Sequence, residues 1–319
     1  MKRFLKRGCL FFGILLVFAF IIDYMVSKGL QKTECFSYQV YNDIVTGQLK
    51  SDVVFMGNSR ALSHFNPIII DSICDVDSYN LGIGGYPVNA QIAGYHCYKA
   101  HNELPQVLVY QVDFFTLRIL HDVRHHHNSE RFFPTIYDKT MRKELSNMGY
   151  GFFELCCPLY RYFGYSEIAR IGLMEFLNIS HYVDMPAYKG FWPEEGTWDG
   201  TKASQIDSIN SAFDIDARIL FEDFLEECKN DSIIVLLVNS PYYSQTLRKI
   251  KNLNKMNDYY DSIAHKYGWQ YLNYTENYDI CDDTLNFSIS AHLTPKAANM
   301  FSTRFAHDLD SLKVVSKRP

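Results

Sequence analysis

The chain has eight cysteines but no C-x-x-C pair among them. Thiolate zinc sites use such short spacings, so the scatter argues against one. A basic excess is missing too. The net charge is −5, with no basic stripe, which gives no support to a nucleic-acid partner, whose phosphates call for clustered Lys and Arg. There is no internal repeat and no low-complexity tract, so a solenoid or a disordered array is not the architecture. What is present is ordinary for a globular protein: 319 residues, 47% hydrophobic and 21% charged. That is enough for one large or two small domains with a real core. A core of that size does not depend on disulfides, and most of the cysteines read as buried thiols. Tyr and Phe number 23 each, serving the core and suiting carbohydrate or interface contacts.

The N-terminus lacks a polar face from Cys9 to Ile22. A buried amphipathic helix would need one. Lys2, Arg3, Lys6 and Arg7 precede the uncharged run Gly8 to Ile22. Asp23 interrupts it, and Tyr24 to Ser27 carry it to Lys28. With Asp23 at the interface, the stretch just reaches the ~20 residues that cross a bilayer. A cleaved signal peptide has the same outline, but no small-x-small cleavage site follows, and Phe20, Tyr24 and Met25 are bulky. Residues 1–28 therefore read as a cytoplasmic tail and transmembrane signal-anchor, followed by a juxtamembrane linker and helix at 29–50. Four cations before the span, against Lys28 and Lys32 after it, put the N-terminus in the cytoplasm and the globular part outside it.

From residue 51 to 319, short apolar runs alternate with amphipathic stretches. Strands are expected at Val53–Met56, ending Ser78–Gly82, at Gln106–Val112, Ser232–Val238 and Trp269–Tyr274. Helices are expected at Pro67–Ile73, Pro87–His101, Ser208–Cys228, Leu247–Tyr267 and Thr294–Leu312. Alternation of this kind implies βαβ units and a parallel sheet with helices on both faces, a three-layer α/β/α architecture. Residues 114–204, rich in Tyr, Phe and His, break the rhythm and read as a helical and loop insertion. Its His121, His125, His126 and His127 read as a solvated or lid loop, because three adjacent histidines do not easily face one ion. No metal or cofactor is called for.

Three segments end strands or start helices where they would converge on one sheet edge: Gly57-Asn58-Ser59-Arg60, Asn80-Leu81-Gly82-Ile83-Gly84-Gly85 and His292-Leu293-Thr294-Pro295. A strand that stops at glycine and delivers a hydroxyl places Ser59 at the carboxyl edge, where open α/β sheets hold ligands. His292 can take the Ser59 proton, and the Ser59 and Gly85 N–H groups can receive an oxyanion. Serine early and histidine late is also the chain order of α/β serine hydrolases. Arg60, Asn80 and Trp192 are candidates for substrate contact.

In these three segments the chain resembles the SGNH (GDSL-like) hydrolase family, in its membrane-anchored cell-envelope branch. Ser59 matches the nucleophile, Gly85 the oxyanion glycine and His292 the base. The resemblance implies a flavodoxin-like doubly wound sheet, ordered 2-1-3-4-5. It implies an extracytoplasmic esterase or O-acetyltransferase acting on an acylated envelope glycan or small ester. For a transferase, a membrane acyl-donor protein would be the partner. Two positions depart from the pattern. Val112 stands where the family has an oxyanion Asn, and Ile289 where it has the Asp three residues before the histidine. Asp113, ending the third strand, is the candidate to orient His292 instead, with a backbone carbonyl as runner-up; Asp282 and Asp283 are near in sequence but need a loop to fold back. The alternative is a catalytically inactive member that binds a glycan or an envelope assembly partner.

Overall fold

The computed structural model describes residues 1–124, 126, 128–184, 187–200, 208–211, 213–276 and 278–316. His125 and His127 of the histidine run thus lie outside the described residues. The chain divides into two compact units, one formed by Met1–Thr46 with His121–Pro186, the other by Gly47–Leu120 with Ala187–Pro319.

The second unit is built on a five-stranded sheet of β1 (Val53–Met56), β2 (Ser78–Asn80), β3 (Val107–Gln111), β4 (Ile234–Asn239) and β5 (Gln270–Asn273). The strands lie in the order β2-β1-β3-β4-β5, and each neighbouring pair is parallel. β1 and β3 are buried along their whole length. Continuous apolar runs are what a sheet covered on both faces requires. Alternate residues separate the two faces. Val53, Phe55, Val107, Val109, Leu236 and Val238 share a core with Phe301 and Phe305 of the terminal helix Pro295–Leu312. On the other face, Tyr110 packs against Phe221 and Phe224, and Tyr95 against Phe224. Full burial of each such ring stabilises the fold by roughly 1.5–3 kcal/mol.

Two helices start later than the apolar pattern suggested. The helix expected from Ser208 begins at Ile215, because Asp214 caps it, its Oδ1 accepting from Asp216 N–H (2.8 Å) and Ala217 N–H (3.4 Å). Ile209–Asn210 instead pairs in parallel with Ile250–Lys251. The helix expected from Leu247 begins at Leu253, after Asn252 takes a left-handed backbone (φ 60°). That conformation breaks a right-handed helix.

In the first unit, α1 (Lys2–Leu30) is a single helix long and apolar enough to cross a membrane. From Phe4 to Ile22 its large apolar residues are exposed, whereas Asp23, Val26, Ser27, Gly29 and Leu30 are buried. The buried end packs on α2 (Ser166–Phe176). There Gly29 faces Gly172 so closely that a Cβ on Gly29 would fall 1.7 Å from the Gly172 carbonyl oxygen. Val26 and Leu30 join Cys35, Tyr38, Phe133 and Tyr162 in one apolar cluster. The helix Phe36–Thr46, within the stretch expected as linker and helix, packs on the 3-10 segment Ser129–Thr135, with the Tyr41 and Phe132 rings 5.1 Å apart. All eight cysteines are free thiols, five of them buried.

Candidate functional site

β1 ends at Gly57 in a left-handed turn (φ 143°), where a Cβ would lie 2.7 Å from the Gln111 carbonyl oxygen and 3.0 Å from Ala61 Cβ. Only glycine fits so tight an exit. The turn delivers Asn58 as N-cap of the short helix Ser59–His64, its side-chain oxygen accepting the Arg60 N–H at 2.9 Å. Ser59 is therefore the first helical residue, where an N–H has no intrahelical acceptor. Its Oγ lies 2.7 Å from His292 Nε2, although 232 residues separate the two in sequence. Sequence reasoning paired these residues, and the structure brings them together.

A second histidine ties together the segments that carry Ser59 and His292. His64, at the far end of the Ser59 helix, is fully buried. Its Nε2 accepts the Leu293 N–H at 3.1 Å, and its Nδ1 lies 2.9 Å from Ser240 Oγ. An Nε2 that accepts must be unprotonated, so Nδ1 carries the hydrogen and donates to Ser240. Burial, with Arg60 and His292 beside it, holds the His64 imidazole well below its usual range. The neutral ring thus ties the helix bearing Ser59 to the strand bearing His292.

The other nitrogen of His292 faces an unanticipated residue. Glu194 Oε2 lies 2.6 Å from Nδ1. The separation is that of an ion pair, but the ring N–H does not point along it and makes no well-aligned hydrogen bond. Glu194 keeps 21% of its side chain exposed, and its carboxylate stands within reach of Nδ1. The Glu194 loop is anchored on both sides of the site. Lys189 C=O accepts the Asn80 N–H (2.9 Å), and the Trp192 N–H donates to Leu62 C=O (3.1 Å). Lys189 Nζ binds Asp71 (2.6 Å) and Asp77 (3.1 Å). Phe191 is buried in the core.

Asp113 does not orient His292, which corrects the sequence-based expectation. Its Oδ2 accepts from Asn58 Nδ2 (2.7 Å) and from Arg60 (3.2 Å), and its Oδ1 accepts from the Phe115 N–H (2.8 Å). A buried carboxylate needs a cation and donors, and it finds them in the residues flanking Ser59. Asp113 therefore supports the turn that holds the hydroxyl. Arg60 is likewise no substrate contact. It is 3% exposed and gives its guanidinium to Asp113, to Asn239 Oδ1 (3.1 Å) and to the Ser240 carbonyl. Asn80 is consumed internally as well. Its amide donates to the Ala61 and Phe65 carbonyls (2.8 and 3.0 Å), and its oxygen accepts the Gly82 N–H (2.8 Å). Trp192 is half-buried, two residues before Glu194.

The glycine loop after β2 does come to the serine. A Cβ on Gly84 would be 3.7 Å from Ser59 Cβ, and Gly85 follows with φ 79°. Val112 is buried and spends its N–H on the Val238 carbonyl (2.8 Å). Ile289, 45% exposed, pairs with His292 across a bulged two-strand ladder and brings no carboxylate to the ring. Serine hydroxyl, imidazole and carboxylate thus stand in series. A carboxylate at Nδ1 favours the tautomer whose Nε2 lone pair can take a proton from Ser59. The chain matches no protein-family model and no curated protein sequence.

Proposed function

We propose that the protein is an envelope-anchored serine esterase or O-acetyltransferase of the SGNH type. The observation that carries this reading is the 2.7 Å contact between Ser59 Oγ and His292 Nε2, with Glu194 at the opposite ring nitrogen. Ser59 Oγ attacks the ester carbonyl while His292 Nε2 takes its proton. The same proton then goes to the departing alcohol. Water, or a sugar hydroxyl in a transferase, next attacks the acyl-enzyme with His292 again as base. Glu194 stabilises the imidazolium formed in each half-reaction. The N–H groups of Ser59 and Gly85 are the oxyanion donors in this reading. The β2-β1-β3-β4-β5 order, with helices packed on both faces, supports a flavodoxin-like doubly wound sheet, and the site lies beyond the carboxyl end of β1, at the switch point of that order.

The substrate class is an acylated envelope glycan or a similar ester, with a membrane acyl-donor protein as partner if the acceptor is a sugar. Trp192, half-buried and two residues before Glu194, is the aromatic residue assigned to sugar contact in this reading. In the same reading α1 is an uncleaved single-pass anchor with the N-terminus cytoplasmic. Val26 supports its retention, since cleavage at Lys28 or beyond would strip it from the core of the first unit.

The test is hydrolysis of an activated acetyl ester by the full chain. Wild type should turn it over, and Ser59→Ala and His292→Ala should each lose on the order of 10³-fold or more. A second reading, a non-catalytic glycan- or partner-binding protein, is favoured by the buried Val112, which offers no side-chain donor to an oxyanion. It predicts no turnover by wild type on any acyl ester, together with retained glycan binding in Ser59→Ala.

A further inference from the structure

The helix α1 is long enough to cross a membrane, but its strictly uncharged part is shorter than the hydrocarbon core. Its uncharged run, Gly8 to Ile22, is about 15 residues, or about 22 Å of helix. The hydrocarbon core of a bilayer is about 30 Å thick. A span that falls short must thin the bilayer or recruit apolar surface at the same depth.

The first unit provides such surface where the run ends. Asp23, the first charge after Ile22, is not left to lipid. Its carboxylate pairs with Arg161 at 2.6 Å, accepts the Leu159 N–H at 2.8 Å and takes the Tyr137 hydroxyl. Ser27, one turn on, meets the Tyr162 hydroxyl and Arg161, each at 2.9 Å. The polar groups of this turn are thus satisfied inside the protein, as burial at membrane depth demands. On the flank of the same turn, Ile22 and Val26 lead into an open apolar hollow of about 910 Å³ walled by Phe153, Tyr160, Phe163 and Leu173. In its wall Phe163 is 89% accessible and Phe153 59%, and Phe152, its ring 5.9 Å from that of Phe153, is 69% accessible. Contiguous aromatic surface of this kind marks an interaction site, and here it continues the exposed face of α1.

Resting on the reading of α1 as a retained anchor, we propose that Phe152, Phe153, Tyr160 and Phe163 are embedded in the headgroup–acyl boundary of the bilayer that α1 crosses. They form a collar around the end of the helix that makes up the missing length. Tyr suits that depth because its ring lies in hydrocarbon while its hydroxyl meets headgroups, and Phe is among the apolar residues that interfacial segments bury at the acyl boundary. Lys28 and Lys32, at and just beyond the end of α1, fall where lysines extend toward lipid phosphates.

The test uses the full chain in vesicles of phosphatidylcholine brominated on its acyl chains, which quench tryptophan only within the bilayer. The three native tryptophans all belong to the other unit and supply the background to subtract. Phe163→Trp should lose most of its added emission and be blue-shifted, and Tyr160→Trp should do the same, guarding against a single badly folded variant. Phe18→Trp, 58% exposed on α1, should be quenched because the helix spans. Leu285→Trp, 79% exposed on the other unit, should not be quenched. Quenching of Phe18→Trp without quenching at 160 and 163 would leave the anchor standing and overturn the collar. No quenching at Phe18→Trp would overturn the anchor itself. Blue-shifted but unquenched emission at 163 with a covalent dimer on cross-linking would assign the patch to a second copy and also overturn the collar.

Discussion

Replacing Glu194 by Gln removes the negative charge that faces His292 Nδ1 and leaves the side-chain volume nearly unchanged. Two unit charges 4 Å apart interact by about 1 kcal/mol in water and about 4 kcal/mol at the effective dielectric of a protein surface. The pair here is closer, at 2.6 Å, but both side chains keep some solvent, 15% for His292 and 21% for Glu194. Screening and the imperfect alignment place the loss at about 2–3 kcal/mol of imidazolium stabilisation. That converts to about 30- to 160-fold in kcat/KM. The assay is steady-state hydrolysis of an activated acetyl ester, with circular dichroism to show an unchanged fold. The loss should be smaller than that of His292→Ala, since the base itself remains. Full activity in Glu194→Gln, with Ser59→Ala inactive, would refute a role for Glu194 and leave a Ser59–His292 dyad.

Asp113→Asn should behave differently, lowering stability by about 3–5 kcal/mol because it strips the carboxylate from the buried Arg60. A melting temperature equal to wild type would contradict that. His64 adds a pH dependence. Its folded-state pKa is depressed below the ordinary histidine value, so between the two values the unfolded chain binds a proton that the native ring refuses. Stability should therefore fall as pH drops below about 6.5, by up to ~1.4 kcal/mol per pH unit from this group. Denaturant titrations at several pH values should show that slope reduced in His64→Gln, and an unchanged slope would remove His64 as its source. Gly29→Leu should disrupt the packing of α1 on the helix Ser166–Phe176, because its Cβ would overlap the Gly172 carbonyl. New proteolytic cuts within the first unit are the expected signature, and a wild-type digestion pattern would count against that packing.

The parallel α/β sheet was legible because strands buried on both faces are written as unbroken apolar runs, such as Val53–Met56 and Val235–Val238. Ser59 and His292 were legible because each stands where an element ends. Glu194 was not. It comes from an irregular loop with no period or cap to mark it, and it reaches the site only because the Lys189 and Trp192 backbones are pinned to Asn80 and Leu62. The partner of Asp113 was misjudged for a related reason. The strand end located the carboxylate, but its competition between Arg60 and His292 is settled by side-chain reach, which strand spacing does not encode. The union of Met1–Thr46 with His121–Pro186 includes a glycine-to-glycine contact between distant helices, and neither glycine has a distinguishing neighbourhood in the sequence.

In the proposed reaction Ser59 is a nucleophile activated by His292. The most direct measurement is the intact mass of the full chain after exposure to a fluorophosphonate, with peptide mapping of the adduct. One phosphonyl group is expected on Ser59 in wild type and none in Ser59→Ala or His292→Ala. An unlabelled wild-type protein, or an adduct carried by another residue, would contradict it.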